Sequence, residues 1–416
     1  MRLNEDHKNE LKRDNLERAY RCQSNEGIHM ASLLYLSNGN LYLLDGNKSI
    51  TVPCQSVDQY KKNLVEIQQR KEWKSKGTGA QFMGAYAQQE EADLRFIFPS
   101  DAVITSDQKI IYSACLQEGT AINFKSLTDL QEAEGLVLRK NDFVVQDIAY
   151  DESKRRLALS VNTQGLERHI CILPLDANRT QYLTEGDCQD SNPMFDSRDS
   201  MQLYYDSCGL AYGEHRIAYG PKEICHLNMA TGDLTTVVAD PKFDFFKPKM
   251  DSVGNLYFLK RPYSKDGQSN NSPMTSLKDI VFAPFKIIRA IVGWLDFFTQ
   301  RYTGESLKTT SGNNPAKAQQ KSEEELFVEG NLIKAQQNLE RNKNAGEKYP
   351  GMIPNSWELI KMTPSGEMST LKKGVMSFAL KDDAILFSNG RYLVEMTPDQ
   401  NETLLVEAKL ISKIIC

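Results

Sequence analysis

Histidine is scarce in this chain, with five in 416 residues, and several other scarcities narrow the chemistry it can carry. There is no H-E-x-x-H signature, no Walker or G-x-G-x-x-G phosphate loop, and no G-x-S-x-G nucleophile elbow. The sequence therefore assigns no catalytic residue. The eight cysteines, at 22, 54, 115, 171, 188, 208, 225 and 416, form no C-x-x-C pair and their spacing suits no zinc motif. No metal ligand and no cofactor is expected, and reduced thiols are. No run approaches the roughly 18 uncharged apolar residues of a membrane-spanning helix. The first segment, MRLNEDHKNELKRDNLERAYRC, lacks the apolar core of a secretory signal, so a cytoplasmic location is expected, with membrane association left open. A net charge of −5 and a pI near 5.7 supply no basic excess, so no nucleic-acid partner is expected.

What the chain does have is an internal repeat. The clearest copy, QYLTEGDCQDSNPMFDSRDSMQLYYDSC at 181–208, reads as a strand end, a polar loop, a strand ending at Phe195, a turn, and a second strand. The same grammar recurs with Ile104, Tyr150 and Met250 at the Phe195 position, more weakly with Leu380, and near the N-terminus with Leu36. Ile104, Tyr150 and Phe195 lie 46 and 45 residues apart, the length of a four-stranded propeller blade. RHICILPLDANRTQYLT and KEICHLNMATGDLTTVV repeat further strands, and their turns carry the Asp, Asn and Gly that tight backbone needs. A single such sheet buries too little to stand alone, whereas radial packing buries both faces of each. The fold class predicted is all-β: a six-bladed β-propeller over 27–416, with a helical extension at 1–26 and helical insertions in the first blade (55–93) and the fifth (263–355). The final LLVEAKLISKIIC reads as strand and is expected to complete the first blade.

Leu183-Thr184, Asn192-Pro193 and Phe195 resemble the repeat of the TolB-like, or WD40-like, propellers, in which leucine-threonine, a polar loop, asparagine-proline and an aromatic precede a serine-proline-aspartate-glycine turn. Here Asp196-Ser197-Arg198-Asp199 replaces that turn, and the Met250 copy keeps only Gly254 of it. The resemblance implies the architecture and no activity, because function lives in sites added to a fold.

Both insertions carry helical patterns. In VDQYKKNLVEIQQRKEWKSKG, Tyr60, Leu64 and Ile67 recur at helical spacing, predicting a helix against the propeller rim or one that binds a partner. In the second insertion Pro284 suits the first turn of a helix. Lys286, Arg289, Gly293, Asp296 and Gln300 form a narrow polar stripe, while Phe285, Ile287, Ile288, Ile291, Val292, Trp294, Leu295, Phe298 and Tyr302 cover most of the remaining circumference. Such a helix is covered by the protein itself, by a partner or second copy, or by a membrane interface. Phe285, Ile288, Arg289, Ile291, Val292, Trp294, Leu295, Phe298 and Tyr302 are the docking residues predicted. A second helix is expected from the Ser322/Glu325 capping box.

The remaining chemical groups read as structural. His169, His215 and His226 lack a paired nucleophile, and the adjacent Cys225 and His226 face opposite ways on a strand. Cys115, Cys208, Cys171 and Cys225 occupy repeat-equivalent positions, as packing residues do. Asp187, Asp190, Asp196 and Asp199 are types that bind calcium and types that turns use anyway. Together these features predict a non-enzymatic scaffold for protein–protein interaction that docks a partner or a membrane surface through the fifth-blade insertion. The alternatives are a hydrolase or lyase with a site in the central channel, and an effector or accessory subunit of a larger assembly.

Overall fold

The computed structural model describes residues 33–76, 94–117, 119–163, 166–177, 179–212, 217–263, 325–328 and 331–416. The extension expected at 1–26 lies outside the described residues.

Strands β1 (Leu33–Ser37), β2 (Asn40–Asp45) and β3 (Lys48–Thr51) form a meander, followed by helix α1 (Gln55–Lys76). Its first turn is Asn38-Gly39, with φ of 49° and 72°, the left-handed pair that an Asn-Gly hairpin supplies. A second antiparallel unit holds β4 (Phe98–Ile104), β5 (Lys109–Cys115), β6 (Thr120–Ser126) and β7 (Gly135–Lys140). A third holds β8 (Val144–Asp151), β9 (Arg156–Asn162), β10 (Arg168–Pro174) and the short β11 (Gln181–Tyr182). In the fourth, β12 (Cys188–Asp196) and β13 (Asp199–Tyr212) lead through a side ribbon, β14 (Ile217–Tyr219), to β15 (Glu223–Asn228) and β16 (Asp233–Val238). One parallel bridge, Arg168 to Gln189, joins the third and fourth units. The fifth unit begins with β17 (Phe243–Met250) and β18 (Leu256–Pro262). The hairpin β19 (Glu325–Val328)/β20 (Asn331–Lys334) and helix α2 (Ala335–Asn344) intervene before β21 (Glu358–Met362) and β22 (Met368–Lys373) complete it. The sixth comprises β23 (Ser377–Lys381), β24 (Ala384–Ser388), β25 (Tyr392–Met396) and β26 (Glu402–Glu407). The last strand, β27 (Ile411–Ile415), returns to pair antiparallel with β1, as the apolar tail predicts.

Period-two alternation sends successive side chains to opposite faces, and both faces are buried. Leu34 and Leu36 pack against Ala102, Ile110 and Tyr112 of the second unit, while Leu33 and Tyr35 of the same strand pack against Leu386 and Leu393 of the sixth. Further clusters join the second unit to the third, the third to the fourth, the fourth to the fifth and the fifth to the sixth. Full burial of one such Leu is worth about 1.5–3 kcal/mol. The inner strands also touch in order, β4 to β8, β12, β17, β23 and β27, and β27 touches β4. Sheets arranged radially and sandwiched face to face around inner strands are the β-propeller fold.

Five repeat anchors, Ile104, Tyr150, Phe195, Met250 and Leu380, lie at or next to the end of an inner strand, and each pairs with an early residue of the next strand: Ile110, Leu157, Leu203, Leu256 and Ile385. Leu36 departs from the expectation. It pairs with Leu41 in the same way, but on the second strand of its unit, because β27 takes the inner place. Hairpins between first and second strands and between second and third strands look alike in sequence.

The insertions depart in detail. Helix α1 lies between the first and second units; Val57 is buried, and Tyr60 and Leu64 pack against the core that those units share, but Ile67 is exposed. Residues 77–93 lie outside the described residues. The helix expected from the Ser322/Glu325 box is replaced by the β19/β20 hairpin, and helix begins only at Ala335. Leu326, Phe327 and Val328 favour strand, and Gly330 interrupts the helical pattern.

Candidate functional site

The polar groups that converge from the most units lie mainly on the inner strands, joined by Asp206 of β13 and Lys222 just before β15. Four of the inner strands, β4, β8, β12 and β17, carry a register shift against their partner, at Pro99/Asp101, Val145/Asp147, Ser191/Met194 and Phe246/Lys249, and β27 carries one opposite Leu36/Ser37. A bulge re-aims side chains and frees backbone groups. Asn192 and Lys247 take left-handed φ of 51° and 57° at these bulges, and each precedes a proline, which has no N–H for the ladder to lose.

Acidic side chains link the freed amides from one unit to the next. Asp101 Oδ2 accepts from Ile148 N at 2.9 Å, and Asp147 Oδ2 from Asn192 N at 3.2 Å. Asp206 Oδ2 accepts from Lys247 N at 3.0 Å and from Asn192 Nδ2 at 2.7 Å. Lysines answer the charge: Lys222 Nζ lies 2.9 Å from Asp206 Oδ1, and Lys413 Nζ lies 3.0 Å from Asp101 Oδ2 and 2.7 Å from Asp147 Oδ1. Lys247 Nζ reaches the Met376 carbonyl at 3.2 Å. Further out, Arg261 pairs with Asp244 at 2.8 Å and lies over the rings of Phe246 and Trp357.

This clustering perturbs acidity. Burial pushes the Asp101 carboxyl pKa up and the Asp147 charge adds to the rise, against the pull of Lys413. For Lys413, burial opposes the charge, but the two carboxylates outweigh it and hold the ammonium above its ordinary value. Both directions follow from one cation shared between two buried acids. Lys249 presents surface to solvent, yet the protein around it desolvates its ammonium and, with Lys413 nearby, lowers its pKa.

A concavity of about 440 Å³ opens at the outer strands of the fifth and sixth units, with Asn342, Tyr349, Lys372, Phe387, Asn389 and Glu402 among its walls. Asn342 donates to the Gly351 and Ile353 carbonyls at 2.9 and 3.2 Å, and Asn389 to the Tyr349 carbonyl at 2.7 Å.

The predicted docking residues, Phe285, Ile288, Arg289, Ile291, Val292, Trp294, Leu295, Phe298 and Tyr302, all lie outside the described residues, as does His215. Among the described residues no helix is long and apolar enough to cross a membrane. Cys225 is buried, whereas His226 lies over Tyr204 with Nε2 2.8 Å from Gln202 Oε1, so the two face apart as predicted. Cys115, Cys171 and Cys208 are buried; Cys208 lies within β13 rather than at its end, because β13 runs on to Tyr212. The four loop aspartates do not assemble: Asp196 pairs with Arg198 at 2.6 Å, and Asp199 accepts from Met201 N and Gln202. The inner-strand network is absent from the sequence expectations. Its one local signal is the X-Pro pair shared by Asn192-Pro193 and Lys247-Pro248.

No protein-family model matches the chain, and no curated protein matches it by sequence. Among solved structures, the chain is similar to one described as a nidogen/laminin complex, at 8% identity and a TM-score of 0.45, over 92% of this chain and 97% of that one. It is similar to TolB from Acinetobacter baumannii at 10% identity and a TM-score of 0.48, over 92% of this chain and 66% of that one. It is also similar to an oligogalacturonate lyase from Vibrio parahaemolyticus at 9% identity and a TM-score of 0.37, over 75% and 79%. All three scores lie below 0.5, so the propeller class is carried by the strand pairing and the cycle of inner strands.

Proposed function

We propose that this chain is a six-bladed β-propeller that works as a protein-binding scaffold, with the insertion of its fifth blade as the docking element. The six-blade reading is supported by the six clusters between successive units and by the closed cycle of inner strands. The observation that carries the docking reading is how the insertion returns to the ring. Ile333, Ala335, Leu339 and Asn342 are buried, Ile333 joins the core shared by the fifth and sixth units, and the α2 segment walls the 440 Å³ groove. An insertion anchored this firmly at its base, and strongly apolar at 284–302 in sequence, fits a presented binding element better than a passive loop.

The test deletes residues 276–310 from the full chain and compares the proteins that co-purify, with flotation on anionic vesicles in parallel. Loss of specific co-purifying proteins at an unchanged melting temperature is expected. An identical set of proteins overturns the docking reading, and loss of vesicle flotation alone replaces the protein partner with a membrane surface.

One observation favours an enzyme of the inner ring. Lys249 stands exposed on the inner strand β17, at the bulge that follows Phe246, and there desolvation, opposed by Asp101 and aided by Lys413, lowers its pKa, the direction that suits a nucleophilic or proton-accepting lysine. Selective modification of Lys249 by an amine reagent near neutral pH supports that reading. Modification only together with ordinary surface lysines removes it.

A further inference from the structure

His169, Cys188 and Asp190 meet at the seam between the third and fourth units. His169 is the second residue of β10, and Cys188 and Asp190 are the first and third of β12, a spacing that turns both to one side of the strand. The two strands are held in place by the Arg168–Gln189 bridge, by Arg168 donating to Ser191 Oγ at 2.7 Å, and by Gln189 donating to the Leu166 carbonyl at 2.7 Å. All three residues are therefore placed by strands rather than by a turn.

Cys188 Sγ lies 3.9 Å from His169 Nδ1 and 3.4 Å from Asp190 Oδ2, and one donor atom from each residue falls within 4.8 Å of the other two. A tetrahedral zinc ion bound at ordinary lengths holds a sulfur and a nitrogen or oxygen ligand about 3.5 Å apart. The Cys188–Asp190 spacing already matches that value, the Cys188–His169 spacing exceeds it by about 0.4 Å, and rotation of the His169 and Asp190 side chains about their χ angles can close the rest. We propose that His169, Cys188 and Asp190 form a binding site for a thiophilic divalent cation of the zinc type, with a fourth position left to water or a ligand.

The donor set selects the metal class. A thiolate and an imidazole favour zinc and its neighbours over magnesium or calcium, which take oxygen ligands. The surroundings agree. Asp190 is 2% exposed, and its hydrogen-bond donors are the Ser207 and Thr184 hydroxyls and the Cys188 thiol, all neutral. A buried carboxylate in such company gains from a cation. Cys188 as a free nucleophile fits less well, since burial and the Asp190 charge disfavour its thiolate, whereas a bound dication deprotonates a coordinating thiol outright. The site escapes a motif search because His169 and Cys188 are 19 residues apart on different strands.

The experiment uses the full chain, stripped with a chelator and titrated with Co²⁺ and then Zn²⁺. One equivalent of Co²⁺ with a thiolate-to-cobalt charge-transfer band, displaced by Zn²⁺, is expected. Cys188→Ser should abolish the band, and His169→Gln should weaken binding at least about tenfold, the lower end of what even outer-shell losses cost. A band that is absent, or that persists in both variants, overturns the proposal. Because either variant can fail to fold, the unaltered chain supplies a second readout by alkylation and peptide mapping. Zn²⁺ should slow modification of Cys188, and an unchanged rate with Zn²⁺ present overturns the site.

Discussion

Lys413 Nζ lies 2.7 Å from Asp147 Oδ1, although 266 residues separate them in sequence. The same ammonium lies 3.0 Å from Asp101 and donates to the Gln146 carbonyl at 3.0 Å, so the last strand is tied by charge to the second and third units as well as by hydrogen bonds to β1. The side chains are 20%, 11% and 10% exposed for Lys413, Asp101 and Asp147. Removing one partner of a buried pair strands the rest, so Lys413→Met is expected to destabilise the fold by about 3 kcal/mol. Adding Asp101→Asn and Asp147→Asn, which keep an acceptor for the amides, should recover part of the loss. Urea midpoints of the wild type and the two variants check this, and a Lys413→Met midpoint equal to that of the wild type disproves the closure role. The sign with pH is fixed by the raised pKa of Lys413: its contribution holds below the unfolded value of 10.5 and is lost only as pH rises through the higher folded value.

Glu134 holds the start of helix α1. Its two carboxylate oxygens accept from Gln55 N at 2.8 Å and Ser56 N at 2.9 Å, and Oε2 also accepts from Tyr112 OH at 2.8 Å. Lys125 Nζ, fully buried, lies 3.7 Å away and donates to the Pro53 carbonyl. A carboxylate at the positive end of a helix contributes about 0.3–1 kcal/mol, and more when partly buried. Leaving Lys125 without its counter-charge costs about 3 kcal/mol. Glu134→Ala is therefore expected to lower global stability and to speed hydrogen exchange at Gln55 and Ser56 more than at the inner strands. Equal acceleration throughout would mean that Glu134 does not act at the helix start.

The left-handed backbone at Asn192 separates two contributions. Asn192→Gly keeps the φ of 51° but loses the 2.7 Å bond from Nδ2 to Asp206, worth about 1.5–3 kcal/mol for a charged acceptor. Asn192→Ala loses the same bond and adds the strain of a Cβ in that region, about 1 kcal/mol. Alanine should thus be the more damaging substitution, by thermal or urea denaturation. Equal losses would show that the bulge relaxes out of the left-handed region.

The strands were legible in the sequence where burial on both faces forces a period-two apolar pattern, and five anchors fall on equivalent inner strands for that reason. Leu36 was misplaced because a hairpin pattern records its turn and not the rank of its strands in a sheet; only the pairing of β27 with β1 settles that rank. The segment from Glu325 to Lys334 misled, because the Ser322/Glu325 capping box precedes a hairpin and only Ala335–Asn344 is helical. The inner-strand network was illegible for a different reason. Asp101, Asp147, Asp206 and Lys413 are remote in sequence, and each is an ordinary strand polar residue until the bulges turn the chains toward one another. Asn192-Pro193 did stand out, through its resemblance to the TolB-type repeat, and the bulge now gives that pair a physical meaning.

His226 gives the fold a pH dependence of known sign. It is packed over Tyr204 at 4.7 Å between ring centroids, with Nε2 2.8 Å from Gln202 Oε1 and Nδ1 3.3 Å from Thr235 Oγ1. Desolvation lowers its pKa below the ordinary 6.5, and Asp196 opposes the shift without cancelling it. The unfolded chain therefore binds a proton at this residue more readily than the folded chain, and stability rises with pH across the interval between the two values. As pH falls below about 6.5, the fold loses stability through His226 until the folded pKa is passed, after which the loss is constant. His226→Gln, which keeps a hydrogen-bonding group toward Gln202 and Thr235, should flatten this part of the profile. The measurement is the difference in urea-derived stability between wild type and variant on either side of pH 6.5; because other titrating groups contribute equally to both, they cancel. A difference that does not change with pH rules out the assignment, and a difference that grows in the opposite direction means the imidazolium is the form the fold prefers. Asp196→Asn removes the opposing charge and should enlarge the acid-side loss, with the near-ultraviolet dichroism of the variant reporting whether the Tyr204 ring stays in place.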